Sequence, residues 1–304
     1  MNKMLFLLSC NFIAIISFSQ QIGNSGFESW DALGTANEEP TNWNSFKSGQ
    51  GNFVAFASQQ IQQSSDVRPG STGQYSVRIW SKSTLGVVAN GNMTLGRINM
   101  GSTTANDPAN YNFSVISDST FSESIQMAPD SIAFWVKYSN SNSSDSARVN
   151  AVLHDNFEVR DPIDATSQSH IIGTAEKNYA NTQGNWVRYS VPFIYQNSNT
   201  PEFLLLTFTT NKTPGGGAAN DEVLLDDIEL IYSSSSVEEQ YESFSPFYNA
   251  NGLNFKSYSS DIIIYSFSGQ LLKVGNSNDL SGLKLKTGMY FICTPSSVAN
   301  IFVP

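Results

Sequence analysis

The feature that most constrains this chain is a two-residue apolar period, repeated in short runs and broken by Gly, Asn, Ser and Pro. In Ser131–Tyr138, Ile132, Phe134, Val136 and Tyr138 alternate with Ser131, Ala133, Trp135 and Lys137. Ala147–Leu153 repeats the pattern with Val149, Ala151 and Leu153. Successive side chains of a strand point to opposite sides, so these runs predict half-buried strands rather than helices. Further strands are predicted at Phe53–Ile61, Tyr75–Trp80, Trp186–Phe193, Glu202–Thr209 and Glu222–Tyr232. The Ser/Asn-rich segment 139–146 is expected to join the first two runs as an antiparallel hairpin. No long stretch has a helical period, and many short strands between polar turns predict an all-β sandwich.

The ends of this pattern predict the domain organisation. Residues 1–19 read as a cleavable signal peptide, with basic Met1-Asn2-Lys3, an apolar run Met4–Phe18, and small Ser17 and Ser19 before the cut. The run is too short for a membrane span, and no later segment is a candidate. A rival lipobox, Leu7-Leu8-Ser9-Cys10, would leave only a few apolar residues before the lipidated cysteine. The expected destination is secreted or on the outer cell surface. Cleavage before Gln20 leaves Cys293 alone, which excludes an internal disulfide. Ser233-Ser234-Ser235-Ser236, extended by Val237–Gln240, reads as a linker between a large domain, 20–232, and a small one, 241–304. In the small domain, strands are predicted at Ile262–Ser266, Gln270–Lys273 and Gly288–Cys293.

Charge narrows the partners. A net charge of −10 and 14% charged residues supply no basic stripe, which argues against nucleic acid. An acidic balance fits cation sites and plain solubility equally. Asn24 and Glu28 open the large domain, and Asp226 lies in the closing strand, where parity puts it in a row with Leu224, Ile228 and Leu230. A carboxylate in an apolar row must be paired, protonated or metal-bound. Oxygen ligands from distant segments suit calcium better than zinc. The alternative is a strand-end carboxylate that is hydrogen-bonded or hydrated.

For a ligand, the predicted outward faces carry Trp135 and Lys137, then Arg148, Asn150 and His154 on the next strand. Trp80 with Arg78, and Trp186 with Arg188, show the same parity. An indole covers the apolar C–H face of a pyranose while amides and guanidinium groups meet its hydroxyls. The alternatives are rings covered by loops and an Arg148 that only pairs with an acid such as Asp145. Catalysis has less support. Glu158, Asp161 and Asp164 lie close in sequence near Arg160, a pattern more often found in a solvated loop or a cation site than in a glycosidase carboxyl pair. No Gly-x-Ser-x-Gly elbow is present, and Gly215-Gly216-Gly217 lacks the Lys-Ser/Thr of a phosphate cradle.

Beyond these readings, the sequence resembles the carbohydrate metabolism domain (PCMD) family of exported Bacteroidota proteins. The family is a jelly-roll family similar to calcium-containing carbohydrate-binding modules. The resemblance runs through Gly26-Phe27-Glu28-Ser29-Trp30, Pro40-Thr41-Asn42-Trp43, Gly73-Gln74-Tyr75-Ser76-Val77-Arg78, Gly96-Arg97-Ile98-Asn99 and Trp135-Val136-Lys137-Tyr138. It ends at Leu225-Asp226-Asp227-Ile228-Glu229-Leu230-Ile231-Tyr232. It implies a jelly-roll β-sandwich, a structural Ca2+ held through Glu28 and Asp226 with Asn24 beside them, and a polysaccharide or glycan partner. The tail resembles the C-terminal sorting domains of type IX secretion cargo in Ile264-Tyr265-Ser266-Phe267-Ser268-Gly269-Gln270-Leu271 and Thr287-Gly288-Met289-Tyr290-Phe291. It implies a small Ig-like β-sandwich and the type IX machinery as partner. The degraded Ser245-Pro246-Phe247-Tyr248-Asn249 opening and the lack of a basic ending depart from that pattern. The expected protein is a non-catalytic glycan binder, with a glycoside-active enzyme and a protein-binding adhesin as alternatives.

Overall fold

The computed structural model describes residues 20–84, 86–141, 145–232, 245–256, 261–295 and 298–304. The expected signal peptide, Cys10 and the Ser-rich linker lie outside the described residues. The chain divides into two compact units at Ser233/Ser234. Among the described residues, no helix is long and apolar enough to cross a membrane.

The first unit is a jelly-roll β-sandwich. One sheet has five strands in the order β15 (Val187–Pro192), β11 (Ser131–Ser139), β18 (Glu222–Ile231), β4 (Ser76–Trp80) and β3 (Ile61–Ser64). The facing sheet has six: β10 (Glu123–Ser124), β17 (Phe203–Thr209), β12 (Ala147–His154), β14 (Ile171–Tyr179) and β16 (Ile194–Tyr195), with β7 (Asn92–Thr94) also on β17. Smaller pairs are β1 (Trp30–Asp31) with β2 (Glu39–Pro40), and β5 (Lys82–Thr84) with β6 (Val87–Ala89). A third sheet joins β8 (Arg97–Met100), β9 (Asn110–Phe113) and β13 (Arg160–Asp161).

The inner faces make one apolar core that includes Ile132, Phe134, Val136 and Tyr138 of β11, Val149, Ala151 and Leu153 of β12, and Leu206 and Phe208 of β17. Phe27 and Trp43 from the N-terminal segment close it, with ring centroids 5.5 Å apart.

Three strand expectations are corrected. First, β11 and β12 are not a hairpin: β11 pairs with β15 and β18, whereas β12 pairs with β14 and β17. Two strands with one apolar face each can lie side by side or face to face. Here the second arrangement wins, and Phe134 meets Phe208 of the opposite sheet edge-on at 5.3 Å. Second, the strand expected at Phe53–Ile61 begins only at Ile61, because Val54–Phe56 forms a 3-10 turn. Val54 and Phe56 are 41% and 49% exposed, so this stretch has no inner face to bury. Third, a β-bulge resets the parity of β18. Val223 and Leu225 face the core, and so do Ile228 and Leu230, with Asp227 at φ +43° between them. Asp226 therefore leaves the apolar row and pairs across the sheet with Trp135 on the outer face.

The second unit is a small β-sandwich. The hairpin β19 (Pro246–Asn249) and β20 (Gly252–Phe255) accompanies a sheet of β22 (Leu271–Gly275), β21 (Ile262–Ser266), β23 (Gly288–Cys293) and β24 (Val298–Val303). Leu253, Ile262, Ile264, Tyr290, Ile292 and Ile301 are in its core. Asn276 caps the single helical turn α1 (Ser277–Leu280), accepting from the backbone N–H groups of Asn278 and Asp279.

Candidate functional site

The arch between β11 and β12 decides how the expected ligand residues are distributed. Trp135 and Lys137 of β11, Trp80 of β4 and Trp186 before β15 lie on the outer face of the five-stranded sheet. Arg148 and Asn150 of β12 lie on the outer face of the other sheet. The six residues therefore do not form one site.

On the five-stranded side, the β3–β4 loop meets Trp135 and Trp186. Its Asp66 accepts from Lys137 Nζ at 2.6 Å and from Trp186 Nε1 at 3.0 Å. Desolvation of Asp66 opposes ionisation, but these two donors outweigh it and hold the carboxyl below its usual range. Arg68 lies 5.4 Å over the Trp135 ring and pairs with Asp227. Arg78 stands 4.7 Å from the Trp80 ring and pairs with Glu222. The polar tips on this face are largely engaged within the protein.

Glu28 and Asp226 hold the same loop from below. Glu28 Oε1 accepts from the backbone N–H groups of Gln74 and Tyr75, each at 2.9 Å. Asp226, fully buried, accepts from Arg68 N through Oδ2 at 3.0 Å. Its other oxygen, Oδ1, has no partner among the described residues. Burial pushes the Asp226 carboxyl up to about 6. Asn24 works within its own turn: Nδ2 donates to Ser29 O and Thr41 O, and Oδ1 accepts from Ser29 N. Among the described residues, no three His, Cys, Asp or Glu side chains gather at one point. A cation held by Asp226 and Glu28 would therefore draw the rest of its shell from backbone carbonyls, amides and water.

The six-stranded side carries a cleft of about 430 Å³. Its floor is built on β12. Arg148 reaches Asp161 of β13 through two nitrogens, at 3.1 and 2.9 Å, and Glu176 of β14 through Nε at 2.9 Å. Asn150 Nδ2 adds a third bond to Asp161, 2.9 Å long. The partner of Arg148 is thus Asp161 rather than Asp145, whose carboxylate instead accepts from Asn211 at 2.7 Å. The walls come from the 3-10 turn with Phe53 and Phe56, from Val87 and Val88 of β6, and from Met100 and Tyr111 of the third sheet. Phe56 and Val87 are exposed at this cleft, which is unusual for large apolar side chains grouped together. The sequence offered one signal for the cleft, the Phe53-Val54-Ala55-Phe56 run, but it fits a strand equally well.

His154 is expected outside and does lie on the outer side of β12, yet it is wholly buried. Its Nε2 stands 2.8 Å from Ser114 Oγ and its Nδ1 2.8 Å from Asp155 O. A carbonyl can only accept, so the proton sits on Nδ1 and the serine hydroxyl donates to Nε2. Glu158, Asp161 and Asp164 do not assemble as a carboxyl pair. Asp161 is committed to Arg148 and Asn150, and Asp164 accepts from the hydroxyls of Thr166 and Ser167.

No family model matches the chain, and no curated protein matches it in sequence. Solved structures match the fold. A candidate glycoside hydrolase from Bacteroides thetaiotaomicron aligns with TM-score 0.53 and 17% identity, over 72% of this chain and 72% of that one. A second candidate glycoside hydrolase, from Bacteroides vulgatus, aligns with TM-score 0.46 and 16% identity, over 66% of this chain and 89% of that one. The structure of TmCBM61 in complex with β-1,4-galactotriose gives TM-score 0.34 and 11% identity, over 70% of this chain and 99% of that one. The first of these establishes a shared sandwich fold; a shared fold alone does not assign an activity.

Proposed function

We propose that the protein is a non-catalytic glycan binder and that the glycan lies in the cleft beside β12. The observation that carries this reading is the concave site itself, walled by Phe53, Phe56 and Tyr111 over a rigid Arg148–Asp161 floor. Rings meeting in a cleft can cover a sugar's C–H faces and remove most of its surface from water. The tryptophan face lacks this advantage, since Trp186 and Lys137 already bond to Asp66. Asp161 is the one acid among the described cleft-lining residues, and most glycosidases use two carboxyl groups. This favours binding over hydrolysis. A glycan microarray probed with the full chain is expected to give at least one specific signal, and release of sugar from that glycan would favour the enzyme instead.

A structural calcium at Asp226 and Glu28 is part of the same proposal, supported by the partnerless buried Oδ1. Calcium there would tie the first segment of the domain to its last strand. At a calcium concentration about 100 times Kd, the folded state gains about 2.7 kcal/mol. The melting temperature should therefore rise with calcium in the wild type and stay fixed in Asp226→Asn. No calcium response in the wild type would contradict the site. Export through residues 1–19, and sorting by the second unit, complete the proposal. Both are checked by finding secreted protein that begins at Gln20 and is lost when 241–304 is deleted.

A further inference from the structure

We infer that the cleft selects sugars carrying apolar ester substituents, acetyl or aryl, over their fully hydroxylated forms; this rests on the glycan-binding reading above. Most polar groups around the cleft are already paired within the protein. Asn90 Nδ2 is bonded to the carbonyls of Asn211 and Thr213, and its Oδ1 accepts from Gly215 N. Asn110 Oδ1 accepts from the N–H groups of Gly101 and Ser102, while Nδ2 donates to Thr104 O. Gln60 Nε2 donates to Trp80 O and Ala89 O, both at 3.0 Å. Asn211 Nδ2 bridges Asp145 and Asp221. Arg148 uses all three guanidinium nitrogens on Asp161 and Glu176. These amides and this cation build the walls and floor instead of waiting for a ligand.

Lys212 and Thr103 of the lining are exposed, and the Tyr111 and Thr84 hydroxyls are half-buried, so these groups keep access to water. Asn92 Oδ1 has no partner among the described residues, although Asn92 Nδ2 bonds to Asn112 Oδ1 at 3.0 Å. Against this stand Phe53, Phe56, Val87, Val88 and Met100. A sugar hydroxyl taken from water into such surroundings without a partner loses a hydrogen bond. An acyl or aryl group in the same place gains burial, and its ester oxygens only accept, so it brings no O–H that needs an acceptor. The balance of the lining therefore discriminates by substituent, and each uncompensated hydroxyl costs about tenfold in affinity.

The test uses matched pairs of polymers. Acetylated xylan, acetylated glucomannan and feruloylated arabinoxylan are each presented in native form and after mild alkaline removal of the esters. The full chain is expected to bind at least one native polymer at least tenfold more tightly than its de-esterified partner. Phe56→Ala, a change at an exposed position, is expected to lose that preference with an unchanged melting temperature. Equal or tighter binding of the de-esterified form would overturn the inference and leave glycan binding standing. Binding of neither form of any polymer would overturn the inference, and a silent glycan array beside it would overturn the glycan-binding reading as well.

Discussion

At the scale of single residues, His154 and Arg148, two of the three outer-face polar groups of β12, are tied to partners within the protein. His154 is neutral in the folded state because burial lowers its pKa from 6.5 to about 4. The unfolded chain takes up that proton at higher pH, so the stability linked to His154 is complete above pH 6.5 and is lost as pH falls toward 4. The full loss is about 3 kcal/mol. Urea unfolding of wild type and His154→Gln should show the gap between them shrinking across that range, and a constant gap would contradict the assignment. Arg148 presents a second case. Asp161 is 2% exposed, so removing its cation strands a buried charge. Arg148→Met should cost about 3 kcal/mol or more in chemical denaturation. A cost below about 1 kcal/mol would mean that the pair behaves as a surface salt bridge.

At the scale of elements, alternation in the sequence located β4, β11, β12, β15, β17 and β18, but it missed the nine-residue β14 and did not say which strands pair. β11, β17 and β18 fall within a residue or two of the expected runs. A period of two specifies an inner face without naming the sheet across the core, and so the β11–β12 connection was legible only as a turn. Phe53–Ile61 failed for a related reason. Apolar side chains there line a cleft, and propensity does not distinguish a cleft wall from a strand face. The bulge in β18 was invisible as well, since it depends on Asp227 adopting a positive φ. Once the bulge is in place, Glu28 and Asp226 become anchors of the β3–β4 loop. Glu28→Gln should speed amide exchange at Gln74 and Tyr75 while leaving β11 and β12 protected. Unchanged exchange at both positions would deny Glu28 that role.

At the scale of the whole molecule, two separately cored units follow one another in the chain, and Cys293, the one cysteine among the described residues, is free. The first presents two outer faces of different character. On one, tryptophans are bonded into a loop that carboxylates hold from beneath. On the other, rings surround a cleft most of whose polar groups are already paired. On the proposed function, recognition belongs to the second face. The most direct measurement is titration calorimetry with a glycan that the wild type binds, repeated for Phe56→Ala and Trp135→Ala. The account predicts that Phe56→Ala weakens binding about tenfold or more and that Trp135→Ala retains wild-type affinity. Loss of binding in Trp135→Ala, with Phe56→Ala unaffected, would contradict it and move the site to the tryptophan face.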